Sequence, residues 1–369
     1  MTYPTAVLFG GSGFIGRHFA AHLLEQRLAQ HVWLCDLVRP PDAALPPPAA
    51  RGLRDGTVRF AVVDVRQPIE GPALPDRADL VVNLAAVHRE PGHRPAEYFE
   101  TNVSGAEHVC AWSARIGCPR LVFTSSIAPY GPSEEPKSEA SAPAPETPYG
   151  RSKLAAEEIH LAWQRADGGR RLVIVRPGVV FGPGEGGHVS LLIRAVLGRY
   201  FVYIGSRHVL KAGGYVKELC HTVSWVLERQ ARSGNGVELY NFTLDPPPSV
   251  ANYVEAICKV AGVRRFVPRL PYGPLYATSV GLQAVARALG KRQPFDPVRL
   301  RKLVRSNHVV AEYLRREGYP SRYTLEQALL DWRRERPDEW GAGPDPSGDR
   351  AGSGAQVRNV ATDRTTKKP

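Results

Sequence analysis

Tyr149 and Lys153 stand four residues apart in Tyr149-Gly150-Arg151-Ser152-Lys153, at the start of a helix predicted from Tyr149 to Ala166. That spacing puts both side chains on one helical face. A phenol ionises near pH 10, so removing its proton near neutrality requires about 4 kcal/mol of help. A lysine ammonium one turn away, joined by a cationic cofactor ring, supplies help of that kind. Ser126 closes the strand-like Thr124-Ser125-Ser126, where its hydroxyl is placed to bond the same substrate oxygen. Taken alone, Tyr-x-x-x-Lys is a common accident of solvated helices. Its force comes from what stands before it in the chain.

What stands before it is Ala6-Val7-Leu8-Phe9-Gly10-Gly11-Ser12-Gly13-Phe14-Ile15-Gly16, a strand, a glycine turn and a helix start. Gly10 permits the tight turn, Gly13 lets the backbone approach a pyrophosphate, and Gly16 lets the helix lie close to the sheet. Phe14 and Ile15 open the helix whose unpaired N–H groups receive the anion. Asp36 ends the next strand, twenty residues beyond Gly16. An acid there accepts from the adenosine ribose hydroxyls and repels a 2′-phosphate, so NAD is expected rather than NADP. Arg39 softens that preference. Asp64 and Val65 close the third strand and Ala85 the fourth, on the edge where a dinucleotide binds. Asp64 is expected to meet the adenine amino group and Val65 to pack beside the ring, although an acid at a strand end is about as often a helix cap.

These residues need a sheet to hold them. Apolar runs at Ala6–Phe9, Val32–Cys35, Val58–Val65, Leu80–Ala85, Leu121–Thr124 and Leu172–Val175 are continuous rather than alternating, as in strands covered on both faces. Helical patterns lie between them, after Gly13, from Glu97 to Ile116 and from Tyr149 to Ala166. The fold class expected is α/β, a Rossmann doubly wound parallel sheet with a smaller C-terminal α/β lobe. Residues 1–180 form the cofactor domain, 181–340 mainly the substrate lobe with segments returning to the sheet, and 341–369 a disordered tail. The Pro-rich stretches Pro40–Gly56 and Pro132–Pro148 are expected as loops, the second shaping a substrate entrance.

The motifs together resemble the extended short-chain dehydrogenase/reductases, in the NAD-dependent epimerase/dehydratase group typified by UDP-galactose 4-epimerase. The resemblance rests on Gly10–Gly16, Asp64-Val65, Asn83-Leu84-Ala85-Ala86, Thr101-Asn102-Val103, Val122–Ser126 with Tyr130-Gly131, Tyr149…Lys153 and Arg176-Pro177…Phe181–Gly184. It implies bound NAD and a Ser–Tyr–Lys triad that oxidises a secondary alcohol. In that triad Tyr149 is the general base, Lys153 holds the nicotinamide ribose and lowers the tyrosine pKa, and Ser126 orients the hydroxyl. Members are often dimers through a helix pair that includes the Tyr-x-x-x-Lys helix. Composition leaves the assembly open here.

Departures from the family pattern narrow the reaction. Sugar 4,6-dehydratases of this group carry Asp-Glu after the catalytic Ser/Thr, whereas this chain has Ile127-Ala128, which disfavours dehydration. Two positions that hold a nucleotide diphosphate in the family are Val179 in place of Asn and Gly213 in place of Arg. Lys211 lies near, and Arg299, Arg301 and Arg305 are candidates to replace the charge, against a solvated helix face as the plainer reading. The loop His88-Arg89-Glu90 falls near the expected mouth. The reading is a nucleotide-sugar 4-epimerase or related C4 oxidoreductase working through a 4-keto intermediate, with a nucleotide-sugar as the small-molecule substrate. The alternatives are a 3β-hydroxysteroid or sterol dehydrogenase-like activity and a non-catalytic NAD-sensing regulator.

Bulk properties exclude little else. Of 369 residues, 43% are hydrophobic and 23% charged, as in an ordinary globular enzyme. No apolar run reaches the roughly 18 residues of a membrane span, and the N-terminus shows no signal pattern, so cytoplasm is the default expectation. Five cysteines without a CxxC pair read as reduced thiols, and Cys220-His221 lacks a second ligand pair, so no metal is expected. The net charge of +12 suits a phosphate-bearing substrate or an anionic membrane surface, or no partner at all. Scattered arginines and the absence of a recognition motif argue against nucleic acid.

Overall fold

The structure is a computed structural model that describes residues 2–89, 92–288 and 297–341. Seven strands, β1 (Tyr3–Phe9), β2 (Ala29–Asp36), β3 (Val58–Val62), β4 (Leu80–Asn83), β5 (Arg120–Thr124), β6 (Arg171–Pro177) and β7 (Val237–Phe242), make one sheet. Its order is β7-β6-β5-β4-β1-β2-β3, every pair parallel. The chain reverses direction across the sheet between β1 and β4, which opens a crevice at their C-terminal ends.

Successive strand residues point to opposite faces, so a continuous apolar run feeds two cores. Ala6, Leu8, Val32, Leu34 and Val173 meet Phe19 and Leu23 of α1 (Phe14–Glu25), together with residues such as Val223 that come from farther along the chain. Val7, Phe9, Leu121, Phe123 and Ile174 face the other way. They meet Trp112, from the helix pair α3 (Pro95–Asn102) and α4 (Ser104–Arg115), and Trp163 of α5 (Pro148–Arg165). Both faces are therefore covered, as the runs predict.

A third cluster gathers residues that follow β6 in the chain. It joins Val189, Ile193 and Val196 of α6 (His188–Leu197) to Tyr253, Val254 and Ile257 of α8 (Val250–Ala261) and to Trp332. Between them, the helix α7 (Val216–Ser233) and β7 return to the sheet.

Four boundaries differ from expectation. Pro40–Gly56 is not all loop: α2 (Pro47–Asp55) starts with proline in its first turn, where no N–H is missed, and stops at Gly56 with φ 85°. The helix expected over Glu97–Ile116 is the pair α3 and α4, broken at Val103. β3 stops at Val62 and β4 at Asn83, two or three residues short, because the chain must turn out of the sheet at the crevice. The entrance stretch contains a strand, Ser133–Lys137, paired in parallel with Asn307–Val309. Residues 342–369, where the disordered tail is expected, lie outside the described residues. Among the described residues no helix is long and apolar enough to cross a membrane, and no cluster of His, Cys, Asp and Glu has metal-site geometry.

Candidate active site

The glycine turn is wedged between two elements. Gly10 donates its N–H to Cys35 O at 2.8 Å, and Gly13 closes the turn onto Gly10 O at 3.0 Å. With φ at 77°, Gly10 lies so close to the exit of β4 that a Cβ would sit 2.6 Å from the Ala85 nitrogen. A Cβ on Gly16 would stand 2.7 Å from Gly10 O, so α1 starts in contact with the turn. The first turn of α1 has no side-chain cap and no acid, which leaves its N–H groups available to an anion. Ser12 Oγ is buried beside them without a partner.

Asp36 sits at the end of β2 with Oδ2 accepting from Ser12 N at 3.1 Å and Oδ1 from Leu37 N at 2.8 Å. Burial pushes its carboxyl above the usual range, while these two N–H donors pull the other way. Arg39 reaches Asp42 at 3.6 Å. An open helix start, an orphaned hydroxyl and a half-buried carboxylate on one edge suit a dinucleotide, with pyrophosphate on α1 and ribose at Asp36.

Other residues of the expected cofactor set are placed less simply. Phe14 and Ile15 are half-buried and pack against the third cluster, Phe14 edge-on to His18 at 5.3 Å. Asp64 lies two residues beyond β3, where Arg66 holds its carboxylate at 2.9 and 2.7 Å. That contact keeps Asp64 below the ordinary carboxyl range. Val65 is buried and turned onto Gly105 of α4, with its carbonyl bonded to His108 Nδ1 at 2.8 Å.

Across the crevice, Thr147 caps α5 by accepting from Gly150 N at 3.1 Å. A Cβ on Gly150 would lie 2.6 Å from Ala128 O, so the helix start that carries Tyr149 touches the turn that carries Ser126. Ser126 Oγ accepts from Ala128 N at 3.1 Å. Lys153 is buried, and its ammonium donates to Thr124 O at 2.9 Å and lies 4.9 Å from the Phe123 ring centre. Burial drops its pKa to about 7, with the Glu157 carboxylate opposing the fall. The Tyr98 ring stands 6.2 Å from that of Tyr149, and Tyr98 OH donates to Arg89 O at 2.5 Å. His88 is held below its ordinary range by burial first and the Lys153 charge second, which ties the loop to the mouth. Glu90 lies outside the described residues.

Below these groups runs a buried polar network that motif reading left without a role. Ser125 donates to Glu157, which takes Arg176 Nε at 2.8 Å and Nη2 at 2.5 Å. Arg176 also donates to Tyr130 OH at 2.8 Å, and Tyr130 to Asn241 at 2.9 Å. Asn102 donates to Ser152 Oγ at 2.9 Å and clamps Val87 through both its backbone groups, which also accounts for the break after α3. The four-residue step from Lys153 to Glu157 is the sequence signal that reveals this carboxylate.

The departures prove to be one structural event. Val179 and Gly213 are register partners in a two-stranded parallel ladder. A Cβ at Gly213 would meet Tyr253 OH at 2.6 Å and Val179 O at 2.7 Å, so no arginine fits there. Lys211 does not replace it: its ammonium donates to Lys302 O and Arg305 O, both at 2.8 Å, capping the helix α10 (Pro297–Val304). Arg305 pairs with Glu146 at 2.9 Å and Arg301 bonds Tyr276 OH at 3.1 Å. The Arg299 side chain lies outside the described ones. Ile127, where dehydratases carry an acid, is buried with Tyr130, Ala212 and Val309.

Residues 6–241 match the NAD dependent epimerase/dehydratase family. An N-acetyl-alpha-D-glucosaminyl-diphospho-ditrans,octacis-undecaprenol 4-epimerase of Escherichia coli O157:H7 is 29% identical over 68% of this chain and 75% of its own. A 4-hydroxy-2-methyl-3-oxo-4-farnesyl-3,4-dihydroquinoline-1-oxide ketoreductase of Stigmatella aurantiaca is 26% identical over 91% of this chain and 97% of its own. The fold is shared with MoeE5 in complex with UDP-glucose and NAD, at TM-score 0.64 and 23% identity over 90% of this chain and 99% of that one.

Proposed function

The chain belongs to the NAD dependent epimerase/dehydratase family, and on that premise we propose that it is a sugar C4 epimerase or closely related C4 oxidoreductase. The cofactor residues are Gly10, Gly13, Phe14, Ile15, Gly16, Asp36, Asp64, Val65 and Ala85, with Tyr149 and Lys153 reaching across. Bound NAD supplies the hydride acceptor and donor. The chain's own residues handle the proton: Ser126 orients the C4 hydroxyl and Tyr149 takes its proton as the 4-keto sugar forms. Tyr149 returns the proton after the sugar presents its other face.

The observation that carries the reading is Lys153, buried at the exit of β5 on the Tyr149 face of α5 and poised near pH 7. A buried ammonium is costly to keep unless its charge is used, and stabilising a phenolate one turn away uses it. Elimination of water would need an acid–base pair beside the sugar, and Ile127-Ala128 offers none.

For the sugar's carrier, a nucleoside diphosphate is the family's usual handle. The paired loss at Val179 and Gly213 favours a second reading, a diphosphate carried on something other than a nucleoside. The E. coli relative, named for an undecaprenol-linked sugar, supports that direction. The test is to purify the protein without added cofactor and offer UDP-sugars and a polyprenyl-diphospho-N-acetylglucosamine in parallel. C4 interconversion without net NADH, lost in Tyr149→Phe, is expected. Stoichiometric NADH with release of a ketone would replace epimerase by dehydrogenase.

A further inference from the structure

Basic residues occur throughout the chain, yet most of the formal net charge of +12 arises in one segment where acids are nearly absent. Between Ala256 and Ala311 the chain carries eleven lysines and arginines against one acid, Asp296. The same segment holds five of the exposed large apolar side chains among the described residues. Phe266 is 93% exposed, and Leu270, Val280, Leu282 and Leu303 are exposed with it.

The helix α9 (Tyr272–Ala288) shows why this is unusual. Its inward face is read from the partly or fully buried Tyr272, Leu275, Tyr276, Ser279 and Gln283, at steps of three and four. Its outward positions include Ala277, Val280 and Leu282, and no charged residue occurs from Tyr272 to Ala286. A solvated helix of a globular protein carries its charges on the outer face, and over Tyr272–Ala286 this one carries none. The charges flank it: Arg264 and Arg269 precede it, and Arg301 and Lys302 follow on α10, which packs on α9 with Arg301 bonded to Tyr276 OH at 3.1 Å. Apolar side chains bordered by arginine and lysine, exposed on one segment, are the composition of an interfacial surface.

We infer that the loop around Phe266, the outer face of α9 over Ala277–Leu282 and the last turn of α10 form a docking surface for an anionic lipid bilayer. Charge decides among occupants. A second copy would bring the same basic segment against itself and be repelled. Nucleic acid gains little from a stretch without charge such as Tyr272–Ala286, since its affinity rests on phosphate contacts. A bilayer with anionic headgroups satisfies both features at once, taking the arginines at its surface and the apolar side chains below it. Arg305 at the end of this segment pairs with Glu146, next to the Thr147 cap of α5. Docking therefore brings the mouth of the crevice to the lipid surface. The docking stands independently of the reaction proposed above.

The experiment is flotation of the full chain with vesicles of phosphatidylcholine alone and with a third phosphatidylglycerol. Two variants accompany it, Phe266→Ser with Leu282→Ser and Arg301→Gln with Lys302→Gln, each checked for unchanged circular dichroism and unfolding midpoint. The wild type is expected to float with anionic vesicles at least tenfold more than with neutral ones, and each variant to lose at least fivefold. High salt should release the protein, because exposed charges are screened within a few ångströms at molar ionic strength. Absence of flotation, or flotation indifferent to both variants, overturns the proposal. So does a dimer in sedimentation that only the apolar variant dissolves, or retention on duplex DNA that only the charge variant loses.

Discussion

Glu157 grips Arg176 at two points, Nη2 to Oε2 at 2.5 Å and Nε to Oε1 at 2.8 Å, with both side chains buried. The pair ties α5 to β6 directly beneath Ser125 and one turn from Lys153. Glu157→Gln leaves a buried guanidinium uncompensated and is expected to lower stability by about 3–5 kcal/mol. Urea unfolding measures it. Glu157 also holds the Lys153 pKa up, so the alkaline limb of the activity profile should move to lower pH in the same variant.

Tyr149→Phe removes one oxygen from a half-buried residue at the start of α5. It should lower kcat by about a thousandfold, within the range of a lost general base, and leave the unfolding midpoint in place. A loss below tenfold would move the proton chemistry to another residue.

Lys153→Met separates catalysis from stability. Burial lowers the folded-state pKa to about 7, below the ordinary lysine value that the unfolded chain retains. Between those two values the unfolded state binds the extra proton, so the wild type gains stability as pH rises through that window. The methionine variant should lack this pH dependence and be more stable at pH 7, by about 1 kcal/mol, while activity disappears. Thermal melts across pH 6 to 10 compare the two.

Gly16→Ala places a methyl 2.7 Å from Gly10 O and displaces the glycine turn from α1. Overpacking of this kind costs about 1–3 kcal/mol. NAD affinity, followed by quenching of tryptophan fluorescence, should fall at least tenfold. Unchanged binding would mean that the pyrophosphate does not rest on this helix start.

Asp36→Ser removes the carboxylate at the end of β2 and keeps a short polar group. The expected result is a shift of preference toward NADP of at least tenfold, since Arg39 is tied only loosely to Asp42 at 3.6 Å. Competition between the two cofactors reads it.

Much of this arrangement is legible in the residues. The two-sided apolar runs declare a parallel sheet, and Gly10–Gly16 with Asp36 declares the crevice, because backbone geometry leaves few residue types free at those positions. Pro46-Pro47-Pro48 reads as a breaker, yet proline at a helix start is compatible with α2. The double helix over Pro95–Arg115 is hidden because the break comes from Asn102 reaching Val87 and Ser152, partners distant in sequence. Lys211 illustrates the same limit. Its charge suggests a phosphate ligand, and only the fold reveals that two carbonyls of α10 and its exit take its protons.

The lateness of β7 has a consequence during synthesis. β6 ends at Pro177 and its outer neighbour starts at Val237, roughly sixty residues later. At ordinary elongation rates the ribosome needs about 3–12 s to make that stretch. Throughout this interval the nascent chain presents Leu172–Val175 as an open edge, four consecutive side chains that are fully buried once the protein is finished. Such an edge templates pairing between chains on neighbouring ribosomes. Arg170 and Arg171 on one side and Arg176-Pro177 on the other flank that run with the charges and proline that disfavour such pairing.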